Sequence, residues 1–183
     1  MTEAEEQDVL CTAAKLANIS VYEHAQLSEE FRGMGTTLVA ALIQGDCATV
    51  INVGDSRAYR FDGEAMHQIS EDHSYVEEMR RRGKITEADA RTHPQKNLIT
   101  RAVGVEPYVE GDLFEVRLTE KDMLLLCSDG LTGMTEDSRI AEVLANAPTL
   151  ELAGDALLQL ALDGGGRDNI TVALFTLGKK QGA

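Results

Sequence analysis

The stretch Met123–Cys127, MLLLC, carries no polar side chain and runs straight into Ser128, Asp129 and Gly130. A run this short with apolar residues at every position is buried on both faces, the condition of a central strand in a covered sheet. A carboxylate that follows such a strand is delivered by a rigid element to the rim of the sheet, where it can hold a hard cation without costing core burial.

Other strands and helices are marked by turns. Residues 36–43 and 47–53 flank Gln44-Gly45-Asp46, and residues 56–61 and 64–69 flank Asp62-Gly63, so two antiparallel hairpins are expected to join into a four-strand meander. Residues 113–118 pair with Met123–Cys127, and 170–177 form the last strand. Apolar residues at helical spacing over 4–26, behind a first turn crowded with Glu and Asp, predict a long helix bent near Ser20. Asp72 or Ser74 caps a short helix over 75–82 that stops at Gly83, and Thr86 with Asp89 forms a capping box for another that ends before Pro94. Helices over 136–146 and 150–162 are separated by Pro148 and closed by Gly164-Gly165-Gly166. This order argues a mixed α+β layer architecture dominated by antiparallel pairing.

At 183 residues and 19.9 kDa the chain fits one domain, expected over 1–178 with a small helical insert at about 72–104 and a frayed tail at 179–183. Lys and Arg total 17 against 31 Asp and Glu, a net charge of −14, which excludes a broad nucleic-acid or anionic-membrane footprint. With 43% hydrophobic residues, 4% aromatic and no Trp, the core must be largely aliphatic. Cys11, Cys47 and Cys127 are odd in number and lie in no zinc-binding spacing, which predicts a reduced compartment. The acidic N-terminus lacks a signal-peptide pattern, and no apolar run approaches the ~18 residues of a membrane span, so a cytoplasmic location is expected.

Three carboxylates stand at strand ends beside glycine or polar turns: Asp72 in SEDHS, Asp129 in LLLCSDG and Asp168 in GGGRDN. They are either cation ligands or turn formers and helix caps, which most Asp-Gly and Asp-Asn pairs are. Arg80, Arg81 and Arg82 are a basic run that either holds a phosphopeptide or forms a solvated helix face. Asp55, Ser56 and Arg57 read as organisers of a turn that pair internally. Ser128 lies in no G-x-S-x-G elbow, and Cys127 reads as a small buried hydrophobe.

Five blocks carry a resemblance. GMGTTLVAALI at 33–43, VGDSRAYRF at 53–61, EDHSYVEEMRRRGKITEADARTHPQKNLITRAVG at 71–104, LLLCSDGL at 124–131 and GGRDNITVALF at 165–175 occur in the order found in the bacterial PP2C-type (PPM family) serine/threonine phosphatases, which the chain resembles over nearly all its length. The resemblance implies an α-β-β-α sandwich with Mn²⁺ or Mg²⁺ in a binuclear centre, Asp129 and Asp168 among its ligands, and Asp72 joining Asp129 at a third metal. Residues 74–101 match the flap that borders the substrate cleft. Two cations about 4 Å apart acidify a bridging water and neutralise phosphoryl oxygens, so no covalent phosphoenzyme is required.

The family's opening has no counterpart in residues 1–35: a phosphate-gripping Arg, an acidic ligand in N-E-D, and the D-G-x-G-G-H block that supplies the general acid. Neither His73 nor His93 can be carried over as that acid. The expectations are therefore a sandwich without its first strands, an incomplete metal centre and a phosphoprotein phosphatase of low activity. The alternatives are a catalytically silent binding or regulatory module, or a fragment needing its missing segment. Sheet edges left open predict a homodimer or a partner chain that covers them.

Overall fold

The computed structural model describes residues 1–178; the tail expected at 179–183 lies outside them. In chain order the elements are α1 (Glu3–Ala25), β1 (Leu38–Gln44), β2 (Cys47–Val53), β3 (Arg57–Phe61), β4 (Met66–Gln68), α2 (Tyr75–Arg81), α3 (Glu87–Thr92), β5 (Asp112–Arg117), β6 (Met123–Cys127), α4 (Asp129–Thr132), α5 (Asp137–Asn146), α6 (Leu150–Asp163) and β7 (Val172–Phe175), with a single 3-10 turn at Glu29–Phe31. They fall into two compact units. One comprises residues 1–42, 49–56 and 71–114, the other residues 43–48, 57–70 and 115 onward.

In the first unit, α1 begins at a capping box in which Thr2 and Glu5 bond each other's backbone N–H. Glu3, Glu5 and Glu6 then lie at the positive end of the helix dipole. Leu10 and Ala14 bury against Ile51 of β2, with Leu38, Ala40 and Leu113 packed around them. Two polar side chains on α1 are buried with partners. Glu6 accepts a hydrogen bond from the Thr49 hydroxyl at 2.9 Å. Asn18 accepts from the Gly104 N–H at 2.7 Å and donates to the Glu106 carbonyl at 3.0 Å. Such pairing removes the cost of burying a polar group and fixes the register of the helix. Of the two expected candidates Ser74 caps α2, and Thr86 with Asp89 boxes α3 as the sequence predicts.

The second unit is built on a sheet ordered β4-β3-β6-β7, with antiparallel pairing throughout. Strand β6 is interior, as its apolar run predicts, with Leu125 opposite Tyr59 on one side and Leu174 on the other. Tyr59, Phe61, Leu125, Leu131, Ile140, Leu144 and Leu157 form a buried core between the sheet and α5 and α6. Truncating one of its leucines to alanine would cost about 2–5 kcal/mol. Burial pushes the Tyr59 phenol up, and its oxygen accepts from Arg57 at 2.9 Å and donates to Asp137 at 3.4 Å.

The expected four-strand meander does not form. Strands β1 and β2 belong to a sheet ordered β1-β2-β5, whereas β3 and β4 belong to the other. The break is at Gly54, whose φ of 108° ends β2. The expected pairing of 113–118 with 123–127 also fails, because β5 joins β2 while β6 joins β3. Strand β5 is only half-buried, unlike β6, so the two suit different environments.

Candidate functional site

Asp129 opens the short helix α4 at the end of β6, and Asp168 lies in the loop before β7, so both carboxylates belong to the second unit. Ser128 ties these segments together. Its hydroxyl donates to the Asn169 carbonyl and accepts from the Thr171 N–H, each at 3.0 Å, and its own N–H donates to the Thr171 carbonyl at 3.1 Å. With both capacities of the hydroxyl spent on backbone, Ser128 is a structural tie, in keeping with the lack of a nucleophile elbow around it. Gly130 completes the junction: a Cβ there would lie 2.3 Å from the Asn169 carbonyl oxygen, so the close approach of α4 to the 168–170 loop requires glycine.

Asp129 is half-buried, and its carboxyl is pushed above the usual range, first by burial and then by the charge of Asp168. The Gly130 N–H and the charge of Arg57 act in the opposite direction. Asp168 is exposed and accepts its neighbour Asn169's N–H at 2.7 Å. Two carboxylates that repel one another at a rigid corner are hard oxygen donors, and such a set fits Mg²⁺ or Mn²⁺. No group of three or more His, Cys, Asp or Glu is gathered for a metal ion among the described residues.

Asp72 belongs to the first unit, on the segment that leads into α2. Its successor His73 is 7% exposed, with Nδ1 accepting from the Gly54 N–H at 3.0 Å and Nε2 facing Asp112 at 3.1 Å. Arg101 donates to the other oxygen of Asp112 at 2.6 Å. Burial opposes ionisation of Asp112, but these two partners outweigh it and hold the carboxyl below its ordinary range. The basic run is exposed and paired: Arg80 with Glu77 at 2.6 Å, Arg81 with Glu71 at 3.3 Å and Arg82 with Glu78 at 3.4 Å. That pairing favours the solvated-face reading.

Sequence reasoning missed two participants. Arg57, which the sequence presents only as a turn residue, acts through its charge to lower the Asp129 carboxyl, and the signal lies in strand pairing, since Arg57 sits opposite Cys127, two residues before Asp129. His73, considered only as an acid, is a buried anchor between Gly54 and Asp112.

A family profile described as protein phosphatase 2C matches residues 2–162. The chain belongs to that family. It is 45% identical over 157 residues to the serine/threonine phosphatase stp of Listeria innocua, an alignment covering 86% of this chain and 62% of that relative's length. Among solved structures it is similar to the crystal structure of the serine/threonine phosphatase Stp1 from Staphylococcus aureus, with a TM-score of 0.93 and 41% identity over 98% of this chain and 70% of that one. It also matches the catalytic domain of the serine threonine protein phosphatase PstP in complex with two manganese ions, with a TM-score of 0.80 and 36% identity over 90% of this chain and 68% of that one. The mixed α+β fold class is thereby borne out. No helix among the described residues is long and apolar enough to cross a membrane.

Proposed function

We propose that this chain contributes Asp129 and Asp168, and separately Asp72, to divalent-cation binding in a phosphatase acting on phosphoserine and phosphothreonine in proteins. The observation that carries the reading is the Ser128 tie, which holds the end of β6 bearing Asp129 against the loop bearing Asp168 in a chain of the protein phosphatase 2C family; the upward push on Asp129 is one that a bound divalent cation would relieve. Mg²⁺ or Mn²⁺, when bound, would supply Lewis acidity to activate water and neutralise phosphoryl oxygens. The chain's own part is to present the carboxylates: Ser128 holds the two acidic segments together, and Gly130 lets them approach. Residues 74–101 are proposed as the border of the substrate cleft.

A cation held by few protein carboxylates is bound weakly, so slow hydrolysis by this chain is expected. A phosphothreonine peptide assayed with Mn²⁺ tests this. Slow release of phosphate that disappears in Asp129→Ala supports the reading. Turnover that is indifferent to Asp129 and Asp168 overturns it.

Residues 1–178 are proposed to act as one domain, because each unit is assembled from stretches widely separated in sequence. A single transition on heating, coincident by near- and far-ultraviolet circular dichroism, is expected; two resolved transitions would contradict it. Self-association is proposed through β7, which among the described residues pairs with β6 and has no second strand neighbour. Light scattering should show a dimer, and a monomer persisting as concentration rises would exclude it.

A further inference from the structure

The segment bearing Asp72 is gripped on both sides by the end of β2. On one side the buried Asn52 side-chain amide donates to the Glu71 carbonyl at 3.0 Å and to the Gly54 carbonyl at 3.1 Å. On the other, His73 and Gly54 exchange two bonds: the His73 N–H donates to the Gly54 carbonyl at 2.9 Å, and the Gly54 N–H donates to His73 Nδ1 at 3.0 Å. Beyond the clamp the His73 carbonyl accepts the Thr100 N–H at 2.8 Å.

The ring is set by its second nitrogen. Because Nδ1 accepts from Gly54, the ring proton is on Nε2, which donates to Asp112 at 3.1 Å. Asp112 is itself held by Arg101. Gly54 admits no substitute: its φ is 108°, and a Cβ there would lie 2.4 Å from Cγ2 of Thr37. The backbone of Asp72 is thus fixed through its neighbours.

We infer that His73 is a positioning residue for Asp72: through its paired bonds with Gly54 it holds the Asp72 carboxylate in place for a divalent cation, and the Asp112–Arg101 pair keeps its ring in the tautomer that does so. The inference rests on the proposed role of Asp72 as a cation ligand. Ligands whose outer partners are lost typically bind metal about 10- to 100-fold more weakly, because the ordering then falls to the binding step.

The test is a Mn²⁺ titration of the full ¹⁵N-labelled chain, following paramagnetic broadening of the amides of residues 71–74. Two variants separate the ends of the ring. His73→Asn places an amide oxygen near the position of Nδ1 and keeps an acceptor for Gly54. His73→Gln reaches toward Asp112 and loses that acceptor. The wild type is expected to broaden at these amides, Asp72→Asn to lose the effect, His73→Gln to need about tenfold more Mn²⁺, and His73→Asn to stay within about threefold of wild type. Absence of broadening at 71–74 in the wild type overturns the reading of Asp72 and the inference with it. Broadening that Asp72→Asn abolishes but His73→Gln leaves unchanged overturns the inference alone. Faster amide exchange at Gly54 in His73→Gln but not in His73→Asn is the accompanying expectation, and equal exchange in both contradicts it.

Discussion

The Ser128 hydroxyl donates to the Asn169 carbonyl at 3.0 Å, joining the residue before one acidic ligand candidate to the residue after the other. Asp129 and Asp168 are therefore placed by a side chain with no chemistry of its own to perform. Ser128→Ala leaves the Thr171 N–H without its side-chain acceptor as well. We expect a loss of about 1 kcal/mol in urea unfolding, together with weaker Mn²⁺ binding. Unchanged stability and affinity would mean that the loop is held by other contacts.

Two glycines should respond to alanine with opposite signs. At Gly130 a methyl group meets the Asn169 carbonyl oxygen at 2.3 Å, and backbone must move, at a cost of about 1–3 kcal/mol. At Gly154, inside α6, nothing lies within 4 Å of the added carbon, so Gly154→Ala should stabilise by about 0.5–1 kcal/mol through helix propensity. Denaturant midpoints of the two variants check both signs.

Acid should weaken the first unit through Asp112. Its carboxyl is held below its ordinary value, although burial opposes this, by Arg101 and His73. A depressed carboxylate contributes stability that is fully present above the unfolded pKa of about 3.9 and is lost as the pH falls through the folded value. The stability difference between wild type and Asp112→Asn should therefore be constant from neutrality to about pH 5 and shrink below about pH 4. A difference that does not change on acidification would contradict the assignment.

The local part of the fold is legible in the sequence, and the pairing of distant strands is not. Cap chemistry marks α2 and α3, because Ser74, Thr86 and Asp89 satisfy helix N–H groups within a few residues of themselves. Full apolarity marks β6 as interior. The division of the hairpins between two sheets depends on partners such as Leu125 and Leu174, far apart in sequence, whose pairing leaves no local pattern. The same holds for the site. Asp129 and Asp168 are visible as carboxylates at strand ends, whereas the charge of Arg57 bears on Asp129 only through the β3–β6 register and His73 reaches Asp112 only through the fold of the first unit.

Asp129 itself should show opposed effects on stability and binding. Its carboxyl is raised by burial and then by Asp168, so ionising it costs the folded state and acidification relieves that cost. Asp129→Asn should therefore unfold at a higher temperature than wild type in metal-free buffer at neutral pH, with the gain vanishing in acid. A lower melting temperature would show that the carboxylate is satisfied in the metal-free fold.

Calorimetric titration of Mn²⁺ into the wild-type chain and into Asp129→Ala and Asp168→Ala at neutral pH tests the central claim most directly. Two carboxylates that share a cation predict measurable binding in the wild type and loss of most of that heat in either variant. Mn²⁺ affinity unchanged by both substitutions would contradict the account, because the pair would then be a feature of the turn and not a ligand set.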